Sequence, residues 1–161
     1  HKKYLVNFGW HAQASGFNIN KNQLAEFTNE ISLYAKERLE KLDLKTVIEI
    51  DCELNENEID FELLDQIEKL QPFGVDNKKP IFVMQNVEPH FVDKVGHDGS
   101  HLKFTARFNT RSFPVIAFRM GQFTERLRKH PKIDLVFQLD RHNWNNKESI
   151  QFQALDFRIN E

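Results

Sequence analysis

Residues 101–108 read His-Leu-Lys-Phe-Thr-Ala-Arg-Phe, a regular alternation of polar and apolar side chains. Successive side chains of a β-strand point to opposite faces, so this stretch predicts a strand with one buried and one exposed face. The apolar face carries Leu102, Phe104, Ala106 and Phe108. The polar face carries His101, Lys103, Thr105 and Arg107.

Four more strand-like stretches lie on either side of this one, at 81–95, 113–120, 133–141 and 150–159. A short helix over 123–130 falls between the third and fourth strands. Five strands with a helix at that place is the element order of an OB-fold. Periodicity alone leaves SH3-like and other small β-barrels as competing interpretations.

Two local features refine the predicted barrel. Asn143-Trp144-Asn145-Asn146 predicts a hairpin turn, because asparagine tolerates the positive φ angles that such turns require. In the last strand the apolar phase changes between Ala154 and Leu155, which predicts a β-bulge. We expect Phe82, Phe104, Phe118 and Phe137 in the core.

The first half of the chain predicts helices and short strands. Residues 21–42 have helical periodicity, with Asn20 as N-cap and Gln23 completing a capping box. Residues 47–54 alternate and predict a strand in which Cys52 is a small buried side chain. A second helix is predicted over 61–70, with Asp60 as its N-cap and Pro72 preventing its continuation.

Composition and charge limit the class of protein. Of the 161 residues 40% are hydrophobic and 15 are Phe, enough for a packed core. No apolar run approaches the length that a membrane helix needs, so we expect no membrane partner. The single cysteine excludes an internal disulfide and fits a reducing cytoplasm. Residues 1–80 have a net charge of −5 and residues 81–161 of +3, so a surface that meets phosphate is expected in the second half.

Three stretches, in order along the chain, resemble the RecJ family. Residues 8–16, Phe-Gly-Trp-His-Ala-Gln-Ala-Ser-Gly, are similar to its Gly-Gly-His-Ala-x-Ala-Ala-Gly motif. Residues 70–82, Leu-Gln-Pro-Phe-Gly-Val-Asp-Asn-Lys-Lys-Pro-Ile-Phe, resemble the Leu-x-Pro-Phe-Gly-x-x-Asn-x-x-Pro-x-Phe run that opens its OB domain. Residues 99–103 together with 143–145 and Gln151 resemble the His-Leu-Lys strand and the Trp-Asn hairpin of that barrel.

The resemblance implies an α+β chain. Residues 1–75 would be the carboxy-terminal part of a DHHA1 subdomain with a linking helix, and 76–161 a five-stranded OB-like barrel that binds nucleic acid. The chain begins at His1 without Met, and we expect it to be a fragment. The parent would be a single-strand-specific 5′→3′ DNA exonuclease of repair and recombination. Its Mn²⁺ or Mg²⁺ would lie in an amino-terminal DHH domain, and this fragment, without cofactor or catalytic residues, would be inactive alone.

The candidate site residues fall into two groups. The resemblance implies that Gly9, His11 and Gly16 contact a DNA phosphate. On the barrel, the polar strand face and nearby side chains are candidates for single-stranded DNA, since cations track phosphates and aromatic rings stack on bases. These barrel candidates are His101, Lys103, Arg107, Arg119 and Trp144. The basic surface could extend to Arg126, Arg128, Lys129 and Arg141.

Several alternatives stay open. An ordinary solvated sheet face fits the polar residues equally well, and Trp144 could pack over the end of the barrel. Trp10 replaces a motif glycine, and its ring could stack on a base or fill a pocket. Besides DNA, the expected partners are the DHH domain of the same chain and DNA-repair proteins. The rival functions are a non-catalytic interaction module and a phosphodiesterase of short oligonucleotides, although the barrel signature disfavours the second.

Overall fold

The computed structural model describes residues 2–11, 14–40, 42 and 47–160. The chain divides into two compact units, His1–Val47 and Ile48–Glu161. No helix among the described residues is both long and apolar enough to cross a membrane.

The first unit is a β-hairpin with a helix. Strands β1 (Leu5–His11) and β2 (Ala14–Ile19) pair antiparallel, and helix α1 spans Leu24–Leu39. Phe27 of the helix packs against the rings of Tyr4 and Phe17, with centroid distances of 5.9 and 5.1 Å. The predicted capping box is wrong. The three residues after Asn20 form a 3-10 turn, so the α-helix begins later, and the Asn20 side chain makes no capping hydrogen bond.

The described part of the second unit contains six strands and two α-helices. Its elements are β3 (Cys52–Glu53), α2 (Phe61–Glu68), β4 (Phe82–Val95), β5 (His101–Arg107), β6 (Ser112–Ala117), α3 (Thr124–Arg128), β7 (Ile133–Trp144) and β8 (Lys147–Ile159). The strand order β4-β5-β6-β8-β7 closes through pairing of β4 with β7. All these pairs are antiparallel except β6 with β8. The five-strand closure and the helix between β6 and β7 confirm the predicted α+β chain with an OB-like barrel.

The predicted turn and bulge are both confirmed. Asn145 and Asn146 have φ angles of 48° and 57°, so a two-residue turn joins β7 to β8. Phe137 pairs with Ala154 while Val136 pairs with Asp156, which leaves Leu155 as the extra residue of a bulge. The bulge accounts for the change of apolar phase in the sequence.

Aromatic rings stack through the middle of the barrel. Phe152 lies between Phe113 and Phe137, with centroid distances of 4.8 and 4.2 Å and nearly parallel ring planes. The inward residues of β5 are buried as predicted, Phe104 among them. The expectation that Phe118 lies in the core is wrong, because this residue follows the end of β6 and is 52% exposed.

The stretch before α2 differs from its prediction. Residues 47–54 alternate in sequence, yet only Cys52 and Glu53 form a strand, paired parallel with Phe82 and Val83. In this parallel register the residues before Cys52 would pair with residues before Phe82, where β4 has not yet begun. Cys52 is exposed, and the expectation of a buried side chain is wrong.

Helix α2 packs on the barrel. Asp60 caps it as predicted, accepting a hydrogen bond from the Leu63 backbone N–H at 2.8 Å. Leu64 and Ile67 are buried in the barrel core. Helix α2 thus lies within the compact unit that begins at Ile48.

One glycine is required by packing. A Cβ added at Gly121 would lie 2.1 Å from the carbonyl oxygen of Gly99. The Gly121 backbone N–H also donates to the carbonyl of Ser100 at 2.9 Å. This close contact holds the chain after β6 against the β4–β5 turn.

Asp134 is a buried carboxylate beside the β7–β8 pair. It accepts hydrogen bonds from the Arg158 guanidinium at 2.6 Å, the Asn160 amide at 2.8 Å and the Asn86 backbone N–H at 3.2 Å. Burial raises the pKa of Asp134, but these hydrogen bonds together outweigh burial and leave it below its usual value. The folded state therefore holds the ionised form more favourably than the unfolded chain does.

This lowered pKa predicts acid sensitivity. The stabilisation is complete above the unfolded pKa, about 3.9, and is lost as pH falls through the lower folded pKa. Urea unfolding of wild type and Asp134→Asn should give a large difference in unfolding free energy at neutral pH that shrinks below about pH 4. A difference that stays constant or grows on acidification would contradict the assignment.

Candidate nucleic-acid interface

Lys103 lies in a cleft between β5 and the β7–β8 hairpin. The cleft has a volume of about 490 Å³, and the other residues that line it are His142, Trp144, Lys147 and Ser149. The tight turn at Asn145 and Asn146 sets Trp144 directly opposite Lys147, so both side chains are presented at the tip. Trp144 is 70% exposed and does not pack over the barrel end.

The cleft combines positive charge with an accessible aromatic ring. Lys103 is exposed and, among the described residues, takes part in no ion pair. No Asp or Glu of the described chain lines the cleft. The Lys103 ammonium group can therefore contact a phosphate while the Trp144 indole stacks on a base. OB barrels bind single strands in this way, between a strand face and neighbouring loops such as the one that joins the last two strands.

Arg107 belongs to a different cleft. It lies on the same exposed face of β5 as Lys103, roughly 13 Å along the strand at the usual rise per residue. Its cleft, of about 800 Å³, is also lined by Glu56, Glu58 and Glu88. Glu88 stands directly opposite Arg107 in the β4–β5 register. Carboxylates repel phosphate, so the polar face predicted from β5 has a basic end at Lys103 and a second end where three glutamates outnumber the cations Arg107 and Lys132.

His101 and Arg119 are connected through the backbone. The Nδ1 atom of His101 accepts a hydrogen bond from the Arg119 backbone N–H at 3.1 Å, and its ring packs edge-on against Phe118 at 5.3 Å. In the neutral ring the proton must then be on Nε2. Arg119 has a φ angle of 59° and an exposed side chain. The histidine thus supports the turn from which the Arg119 side chain extends.

Two other arginines of the proposed basic surface are engaged within the protein. The Arg128 guanidinium donates hydrogen bonds to the carboxylates of Asp93 at 2.9 Å and Glu125 at 2.8 Å. Arg141 bonds Glu68 at 3.0 Å and also pairs with Asp65, and these carboxylates raise its pKa. Both guanidinium groups join parts of the barrel unit, so neither extends the basic cleft.

In the first unit, Gly9 and Gly16 form a direct cross-strand pair. A Cβ at either position would meet nothing within 4 Å, so both leave backbone open on the hairpin surface. An open groove of about 560 Å³ runs over this pair. His11 lies at the end of β1, opposite Ala14. Trp10 is 76% exposed, so its ring fills no pocket in the described part of this unit.

The described residues contain no group of three or more His, Cys, Asp or Glu side chains arranged to hold a metal ion. The donor set of these described residues therefore does not fit a Mn²⁺ or Mg²⁺ centre held by three or more such side chains.

Sequence reasoning missed three of the residues that line the Lys103 cleft, namely His142, Lys147 and Ser149. The predicted turn at 143–146 contained the signal that could have identified them. Residues that flank a two-residue hairpin turn lie opposite one another, so Trp144 as a candidate also implies its partner Lys147.

Comparison with known proteins agrees with this fold. The family model described as RecJ OB domain matches residues 50–156. The single-stranded-DNA-specific exonuclease RecJ of Bacillus subtilis is 26% identical over 157 residues, which is 98% of this chain and 20% of that protein. RecJ of Thermus thermophilus is 23% identical over 154 residues, 96% of this chain and 21% of that protein. The chain thus spans about a fifth of the length of these relatives.

A solved structure shows the same fold. The crystal structure of Thermus thermophilus RecJ in complex with Mn²⁺ superposes with a TM-score of 0.76 at 23% identity, covering 99% of this chain and 23% of that one. The corresponding complex with Mg²⁺ gives the same TM-score. The motifs, the barrel connectivity and the match over residues 50–156 agree, and the chain belongs to the RecJ family through its OB domain.

Proposed function

We propose that this chain is the substrate-binding, carboxy-terminal part of a RecJ-like exonuclease that degrades single-stranded DNA 5′→3′ in repair and recombination. One observation carries the proposal. The cleft of Lys103, Trp144 and Lys147 places two cations and an exposed indole on the OB face, without a carboxylate among the described residues that line it. Phosphates and base faces are common to all sequences, so binding would be independent of sequence.

We further propose that the first unit is the DHHA1-like part and that the OB unit extends from Ile48. In the first unit the open backbone at Gly9 and Gly16 lets a phosphate approach closely. His11 would donate to that phosphate. On the barrel, Arg119 and the turn held by His101 would extend the track from the Lys103 cleft.

The metal chemistry would belong to the DHH domain of the parent protein. Phosphodiester hydrolysis by such enzymes uses metal ions to activate water and neutralise developing charge. The described residues do not fit such a centre. We therefore propose that this chain holds DNA in the cytoplasm without cleaving it, and that DNA-repair proteins are further partners.

Salt dependence tests the proposal. Fluorescence anisotropy with labelled oligothymidine should give a Kd that increases between about 50 and 200 mM salt. A plot of log Kd against log salt concentration should be linear, with a slope of about 0.7 for each phosphate contact. Lys103→Ala should reduce the slope by about 0.7, because one counterion-releasing contact is lost. Arg107→Ala is the matched control and should leave the slope unchanged, because its cleft is acidic.

The acidic cleft around Arg107 favours a second candidate, a non-catalytic module that binds a basic segment of another protein. That interpretation predicts no oligothymidine binding at any of these salt concentrations. Binding that depends on Arg107 and not on Lys103 would also contradict the proposed path of the DNA.

A further inference from the structure

Phe91 is an exposed aromatic residue on the wall of the barrel. Its side chain is 83% exposed, and its φ angle is 52°, in the left-handed region. Bulky non-glycine residues adopt this region rarely, because it costs free energy that the surrounding structure must offset. Glycine or asparagine would take the same conformation more easily. The barrel thus keeps the ring largely in water, in a strained conformation, with the neighbouring His90 ring at a centroid distance of 6.3 Å.

A β-bulge places Phe91 one register position along β5 from Lys103. In the β4–β5 register His90 pairs with Thr105, and Asp93 pairs with Lys103, so Phe91 and Val92 together face one residue of β5. Val92 is buried, whereas Phe91 points outward. Bulges commonly re-aim a side chain in this way. The register therefore sets Phe91 one position from Lys103, which also lines the Trp144 cleft.

The charges around this position are compatible with a polyanion. Asp93 lies opposite Lys103 and accepts a hydrogen bond from the Arg128 guanidinium at 2.9 Å. This ion pair offsets the negative charge of Asp93. Glu88 lies 3.7 Å from the His90 imidazole, on the side toward Arg107. Lys103 itself remains available between Phe91 and the cleft.

We propose that Phe91 is a second base-stacking surface for single-stranded DNA, an inference that rests on the function proposed above. Lys103 contacts a phosphate, Trp144 stacks on one base and Phe91 on another, so that the strand crosses β5. Aromatic stacking tolerates any base, as a sequence-independent enzyme requires. The strained bulge is then explained, because it turns the ring toward the DNA.

Phe91→Gly gives the test two readouts with different expected signs. The urea midpoint should stay the same or rise, because glycine relieves the left-handed backbone and little packing is lost. The Kd for labelled oligothymidine at low salt should increase by at least about fivefold. Phe91→Leu, which keeps an apolar side chain without a ring, should weaken binding similarly, and Phe91→Tyr should preserve it.

Asn86→Gly is the matched control. Asn86 also has a left-handed φ, 56°, on the same strand, but it carries no ring and lines the acidic cleft. Its substitution should leave the Kd unchanged. If Phe91→Gly and Phe91→Leu bind like wild type while Trp144→Ala weakens binding, the inference on Phe91 is overturned and the proposed function stands. If the wild-type chain does not bind oligothymidine, the proposed function fails and the inference with it.

Discussion

Replacing Phe152 with alanine is expected to lower the free energy of unfolding by about 3–5 kcal/mol. Phe152 is fully buried and stacks on Phe113 and Phe137 from two sides. Truncation removes the transfer free energy of the ring and leaves a cavity between two large neighbours. The pairing of β8 with both β6 and β7 also passes through this residue, so the barrel cannot collapse around the gap without moving strands.

Urea unfolding followed by circular dichroism measures this effect. Phe91→Ala is the matched control, because it removes the same ring from a side chain that is 83% exposed. Its cost should stay within about 0.5 kcal/mol, as for other exposed positions. A loss below about 1 kcal/mol for Phe152→Ala would mean that the aromatic stack does not organise the barrel.

Replacing Trp144 with alanine should weaken oligothymidine binding by about 5- to 150-fold and leave the unfolding midpoint unchanged. The ring is 70% exposed at the hairpin tip, so the fold gains little from it. A base that stacks on the indole loses that contact entirely. Lys103 and Lys147 remain in place, so the salt slope should persist while affinity falls.

Trp144→Phe supplies the control for this prediction. It retains an aromatic face at the same position and should recover most of the affinity. If Trp144→Ala and Trp144→Phe both bind oligothymidine as tightly as the wild type, the indole does not contact DNA. If both bind equally weakly and unfold earlier, Trp144 has a structural role instead.

The elements that could be predicted from sequence are those specified by local chemistry. The alternation through β5, the Asn145–Asn146 turn and the change of phase at Leu155 each depend on neighbouring residues alone. The cap at Asp60 is of the same kind. These signals, with their order along the chain, predicted a small β-barrel, and the resemblance of residues 70–82 to the RecJ run selected the OB-like one.

What the sequence could not indicate depends on residues that are distant along the chain. Residues 47–54 alternate like a strand, but pairing partners are present only for Cys52 and Glu53. Lys103 and Arg107 share a strand face, yet Glu56 and Glu88, far away in sequence, surround only Arg107. Phe91 resembles any other core phenylalanine in sequence, and only the bulge turns it outward. Such features depend on tertiary pairing, which periodicity does not encode.

Titration of the ¹⁵N-labelled chain with oligothymidine, followed by amide chemical shifts, shows where single-stranded DNA lies on the barrel. The largest shifts should fall on Lys103, Trp144, Lys147 and the Phe91 bulge, and they should diminish as salt rises. Shifts concentrated around Arg107 and Glu88, or no shifts at low salt, would contradict this placement of the DNA.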